Sequence, residues 1–138
     1  MDLLKKFICL SLLTFLLLYS SASIALSADV KEDVNQFMTT YFQALKGGDV
    51  ATLLDMLTEP VLETRRVLLE KNTAYPDHLR EYYQNANFTI ISIDSSKTDI
   101  IKVDVEYRFG EDVNSTRSRF FLRNEAGQFK IYNEIKNE

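Results

Sequence analysis

The chain has 138 residues, with 16 Lys and Arg against 20 Asp and Glu, a net charge of −4, one histidine and one cysteine. That length suits one domain. The acidic balance argues against nucleic acid, whose binding needs a basic patch to displace counterions, and against docking on anionic lipid. A single histidine, His78, argues against a metal site built on imidazoles, and no cofactor motif is present.

Lys5 and Lys6 precede an apolar run of 13 residues, Phe7–Tyr19, and then the small-residue tract SSASIALSA. This is the layout of a secretory signal peptide. The run is shorter than the roughly 18–20 residues that span a bilayer. Residues 1–28 are therefore expected to be cleaved after Ala25, Ser27 or Ala28, with the last two favoured; an uncleaved anchor is the alternative. The segment carries two lysines and one aspartate, so residues 29–138 hold 14 basic and 19 acidic residues, a net charge near −5. Cys9 lies inside the apolar run. The secreted or periplasmic product then has no cysteine, and its apolar core must hold it without disulfides or stable membrane insertion.

In residues 29–138 helical periodicity comes first and strand alternation second, which points to an α+β class with segregated layers. Val30, Val34, Phe37, Met38, Tyr41, Phe42 and Leu45 trace one stripe of a 3.6-residue period. Asp29 can cap that helix with Glu32 as its capping-box partner, and Gly47 is expected to close it in the left-handed conformation. Asp49 caps a second helix with a stripe of Val50, Leu53, Leu54 and Leu57. A third helix is expected from a Thr58 cap, with Pro60 in its first turn and Val61, Leu62, Arg65, Leu68 and Leu69 on one face. A fourth begins near Pro76, with Leu79, Tyr82, Tyr83 and Ala86 inward.

Four strands follow: 88–94, 99–109, 117–123 and 129–135. The second is the clearest, with Ile101, Val103, Val105, Tyr107 and Phe109 alternating against Lys102, Asp104, Glu106 and Arg108. Short turn-rich connections suit antiparallel hairpins. Hydrophobic matching puts Phe120, Leu122, Phe129, Ile131 and Ile135 on the face of Val103 and Val105. It also predicts Arg119 opposite Glu106 and Arg117 opposite Glu134 on a polar outer face.

The pattern Tyr41-x-x-Ala44-Leu45-x-x-Gly48-Asp49 and the closing GQFKIYNEI resemble the nuclear transport factor 2-like superfamily. The resemblance implies a cone, also called cystatin-like: N-terminal helices packed on one face of a curved antiparallel sheet of about four strands. It covers nearly all of 29–138. Many members carry a strand between the second and third helices, where LTEPVLETRRVLLE reads as helix. The superfamily includes isomerases, polyketide cyclases, dehydratases, transport factors and secreted domains of unknown role, so the fold alone does not choose among them.

Enzymes of this group place an acid or base inside the cone, but alternation sends Asp104 and Glu106 outward. The inner polar groups are then Tyr41, Tyr107, Tyr82 or Tyr83, Ser118 and Asn133, with no base among them. His78, one residue from Leu79, is read as pointing obliquely or outward. Arg65 stands in an apolar stripe and can meet an anion at the cone's mouth, unless it pairs with Glu63 or Glu70. The expected function is a non-enzymatic domain that binds a small apolar or amphipathic ligand, or a protein partner, through Tyr41, Arg65, Tyr82, Tyr83 and Tyr107. An isomerase, cyclase or dehydratase is the alternative, to be revived by a buried Asp or Glu within about 3 Å of Tyr41, Tyr82 or Tyr107. A third possibility is a structural dimer whose cavity is filled by side chains, for which the check is cavity volume, since ligand pockets run to roughly 300 Å³ or more. Members of the superfamily often dimerise through the outer sheet face, so the resemblance offers a homodimer there; a solvated face is the alternative.

Overall fold

A computed structural model describes residues 28–97, 99–111 and 115–137. The signal-peptide expectation for 1–28 falls almost wholly outside them. Residues 28–47 are helical. One compact unit comprises Val34–Glu138, and the part of this helix inside it, residues 34–47, is called α1 below. Then come α2 (Val50–Asp55), α3 (Val61–Lys71), α4 (Tyr75–Tyr83), β1 (Ala86–Asp94), β2 (Ile101–Phe109), β3 (Ser115–Glu125) and β4 (Gln128–Asn137). Among the described residues no helix is long and apolar enough to cross a membrane.

The predicted stripe of α1 is the buried one: Val34, Met38, Tyr41, Phe42 and Leu45 are all at most 6% exposed. Its end differs from expectation. The left-handed residue is Gly48, at φ +63°, and not Gly47. The amide of Gly48 donates to the Leu45 carbonyl and that of Asp49 to the Ala44 carbonyl, which satisfies two terminal carbonyls at once. A Cβ on Gly48 would lie 2.4 Å from the carbonyl oxygen of Pro76, whereas one on Gly47 would meet nothing within 4 Å. So Gly48 serves both the turn and the seating of α4. Asp49 caps α2 as predicted, accepting from the Thr52 amide at 3.1 Å and its hydroxyl at 2.7 Å. Thr58 does not cap α3. The chain around it runs beside β4 instead: Thr58 N donates to Ile131 O and Ile131 N to Met56 O, both at 2.9 Å. This is a one-residue parallel bridge, Leu57 to Ile131, where only helix was expected.

The sheet is antiparallel in the order β1-β2-β3-β4. Its inner face carries Val103, Val105, Phe120, Leu122 and Ile131, each 1% exposed or less. α1 lies on that face through aromatic contacts. Phe42 stacks on Phe88 at 4.2 Å, Tyr41 meets Phe120 edge-on at 5.6 Å, and Phe37 meets Phe129 at 5.9 Å. Burying rings of this size supplies much of the free energy that ordering the chain must overcome.

Two features of the sheet depart from the expected register. Arg119 faces Asp104 rather than Glu106, a slip of two that leaves Arg117 opposite Glu106 on β2, and on β4 Arg117 faces Asn137 rather than the expected Glu134. A slip of two keeps every side chain on its face, so hydrophobic matching cannot detect it. The second departure changes faces. Phe121 pairs with Asn133 but Leu122 with Ile131, so Tyr132 is an extra residue in β4. This bulge resets the alternation. Beyond it Glu134 is opposite the buried Phe120 and Lys136 opposite the buried Ser118, while Ile135 is opposite Arg119 on the outer face and 46% exposed. The expectation that Ile135 points inward and Glu134 outward is thus reversed, and Asn133 leaves the interior.

Candidate functional site

α3, α4 and the end of β4 enclose a cleft of about 230 Å³. Arg65 comes from α3 and stands in the helix's inward stripe, so it is half-buried. Its Nη1 donates to the Tyr75 hydroxyl, and the guanidinium lies 5.9 Å from the Tyr75 ring centre. α4 supplies the aromatic wall. Tyr82 and Tyr83 meet edge-on at 4.8 Å, and the ring of His78 lies 6.1 Å from Tyr82. Leu79 is buried behind them. β4 supplies Glu134 and Lys136, which the bulge turns to this side. The expected apolar cavity is therefore a tyrosine-walled cleft with charged groups at its edges.

Those charges are not paired with one another. Among the described residues, neither Arg65, Glu134 nor Lys136 comes within 4.0 Å of an opposite charge. Glu63 and Glu70, the expected partners of Arg65, do not reach it; Glu63 approaches Arg66 at 3.8 Å. Burial disfavours the Arg65 cation, but the Tyr41 and Tyr75 oxygens and Glu134 around it outweigh that and hold it charged. The Tyr107 hydroxyl points at Glu134 Oε1 across 3.5 Å, a long contact.

The tyrosines behind the cleft are held neutral. Burial pushes the Tyr107 phenol far up, with the Glu134 carboxylate adding to it. The Ser118 hydroxyl acts the other way, although its Oγ makes no hydrogen bond of normal geometry among the described residues. Burial also raises Tyr41, against the pull of Arg65. Tyr83 is pushed up to about 12, chiefly by burial and then by Glu134.

Of the five expected binding residues, Arg65, Tyr82 and Tyr83 line the cleft. Tyr82 is 54% exposed rather than inward. Tyr107 reaches the cleft only through Glu134, and Tyr41 lies behind it in the core. His78 is exposed as expected, yet its ring borders the cleft. Glu134, Lys136 and Tyr75 were missed. One signal was available for Glu134: strict alternation from Ile131 to Ile135 buries the amide of Asn133 without a partner, a conflict that a bulge resolves.

No protein-family model and no curated protein matches the chain. Among solved structures it is similar to a nuclear transport factor 2-like protein of unknown function from Shewanella oneidensis MR-1. The identity is 14% and the TM-score 0.60, over 78% of this chain and 98% of that one. At that identity the likeness speaks for fold and not for activity. With helices preceding a four-stranded antiparallel sheet whose inner face they cover, the chain has the nuclear transport factor 2-like α+β fold.

Proposed function

We propose that the chain is a non-enzymatic binding domain, secreted or periplasmic, whose cleft takes a small amphipathic molecule. The anionic group of that molecule sits on Arg65 and its apolar part lies against Tyr82 and Tyr83. The observation that carries this reading is the half-buried Arg65 guanidinium, which lines the cleft and has no carboxylate partner among the described residues. The Tyr75 hydroxyl takes a bond from one of the guanidinium's five N–H groups. A ligand anion can take paired charge-assisted hydrogen bonds from the donors that remain. The volume of about 230 Å³ is below the roughly 300–1,000 Å³ of drug-sized pockets, which limits any occupant to a smaller molecule.

One observation favours a second reading, an enzyme that moves a proton: Glu134 is a carboxylate beside Tyr107. Proton abstraction next to a carbonyl uses such a pair. Here, however, the two oxygens stand 3.5 Å apart, beyond the roughly 3 Å of a working O–H···O pair, and Tyr107 does not line the cleft but lies behind Glu134, so the phenol is not presented to a substrate. Binding is the better-supported reading.

Native mass spectrometry of the protein from its own source should show a retained small anion. Calorimetry with benzoate, hexanoate and 3-phenylpropionate should find binding to at least one of them. Arg65→Met should weaken it at least 10-fold, and Arg119→Met on the outer face should leave it within twofold. An empty native spectrum together with no binding to any of the three acids would sink the proposal, as would equal losses in the two variants.

A further inference from the structure

The β4 bulge places a carboxylate in the same cleft as an unpaired guanidinium. Glu134 of β4 and Arg65 of α3 line one space, yet come no closer than 4.0 Å. No direct bond closes the pair, so hydrogen-bonding atoms of each remain open to a third group. Glu134 and Lys136 do not neutralise each other either. Two residues apart on one face of a strand, they are separated by about 6.5–7 Å along it. The Glu134 carboxylate has about four acceptor sites, and its one protein hydrogen bond among the described residues is the long contact from Tyr107. The two charges nonetheless act on each other through space, since Glu134 helps to hold Arg65 charged.

We infer that the cleft is dipolar and takes an amino-acid-like zwitterion, with the carboxylate on Arg65, the ammonium on Glu134 and the side chain against Tyr82 and Tyr83. This rests on the binding reading above and narrows it from any amphipathic anion to one that also carries a cation. Discrimination follows from desolvation. A ligand lacking the ammonium leaves the Glu134 carboxylate facing the ligand unpaired, and a ligand lacking the carboxylate does the same to Arg65. The exposed face of Tyr82 adds attraction for an ammonium as well as for an apolar side chain.

Three probes that differ by one group each test this: L-phenylalanine, 3-phenylpropionate without the ammonium, and phenethylamine without the carboxylate. Titration calorimetry on the wild-type protein should show phenylalanine binding at least 10-fold tighter than either analogue. Glu134→Gln should erase the advantage of phenylalanine over 3-phenylpropionate and leave 3-phenylpropionate within twofold. Arg65→Met should erase the advantage over phenethylamine. Equal wild-type affinities for phenylalanine and 3-phenylpropionate would overturn the dipolar site and leave the anion reading standing. No binding to any of the three overturns the zwitterion inference, and with the acids of the preceding test also silent it overturns both. Should circular dichroism show Glu134→Gln unfolded, the wild-type ranking decides alone.

Discussion

On the outer face of the sheet Arg119 grips Asp104 through two bonds of 2.7 and 3.1 Å, and Arg108 and Arg117 converge on Glu106 at 3.0 and 3.4 Å. In the cleft, Arg65, Glu134 and Lys136 share a wall without pairing. Arg119 and Arg117 sit directly opposite Asp104 and Glu106 on the adjacent strand, and Arg108 lies two residues from Glu106 on the same face of β2, so register and alternation set these partners. The cleft charges come from a helix and a bulged strand, so no local rule brings them together. Charges that the fold completes serve the fold, and charges that it leaves open are the ones a ligand can complete.

The largest expected difference between the two regions appears at alkaline pH. Free phenols ionise near pH 10. Burial holds Tyr41, Tyr83 and Tyr107 neutral above that value, Tyr83 up to about 12 and the other two higher. Below about pH 10 both native and unfolded chains keep these protons, and the tyrosines leave stability unchanged. Above it the unfolded chain releases protons that the native chain retains, so stability falls with each further step in pH. Far-ultraviolet circular dichroism should report cooperative unfolding between about pH 10 and 12, and Tyr83→Phe should raise the midpoint. All tyrosines titrating together near pH 10 in a still-folded protein would contradict the buried wall behind the cleft.

Next in size is the seat of α4, the helix that supplies the aromatic wall. Gly48 holds a left-handed φ of +63° with its missing Cβ aimed at the Pro76 carbonyl, and Arg80 Nε donates to the Gly47 carbonyl at 3.2 Å. Gly48→Ala should cost about 2–5 kcal/mol in urea unfolding, from left-handed strain of about 1–2 kcal/mol plus steric displacement of about 1–3 kcal/mol. Gly47→Ala, whose added Cβ meets nothing, should stay within about 0.5 kcal/mol of wild type. Equal effects at the two glycines would show that the corner does not position α4.

The same contrast explains what could be read from the sequence. Period and capping gave α1, α2 and all four strands, because each rests on many residues that agree. A side-chain period of two recovered the faces of β2 and β3 but not their register, since Arg119 slides from Glu106 to Asp104 without changing sides. The choice between Gly47 and Gly48 depended on Pro76, 28 residues further along the chain, which local pattern does not contain. Arg65 was legible because a cation in an apolar stripe breaks its own pattern. Glu134 was not, because the bulge at Tyr132 leaves the composition of the strand unchanged while exchanging the faces of everything after it. Of the missed residues, Glu134 and Lys136 are placed by the bulge, and Tyr75 by the start of α4.

The smallest expected effect lies on the outer face. Arg119 and Ser92 both donate to Asp104, and the Arg119 hydrogen bond is the chief cause holding its carboxyl below the ordinary carboxylate range. A folded-state pKa below the unfolded one contributes stability above the unfolded value, about 3.9. That contribution is lost as pH falls through the folded one. Asp104→Asn should therefore destabilise the protein at pH 7 by about 0.5–1 kcal/mol, the scale of a solvent-screened pair. The gap to wild type should close on acidification below about pH 4, and it should shrink in 1 M salt, where the screening length falls to about 3 Å. Ligand affinity should not change, because no outer-face charge reaches the cleft. A loss of ligand binding in Asp104→Asn would mean that the two faces are coupled through β3 and β4, and that the division between fold-serving and ligand-serving charges is drawn in the wrong place.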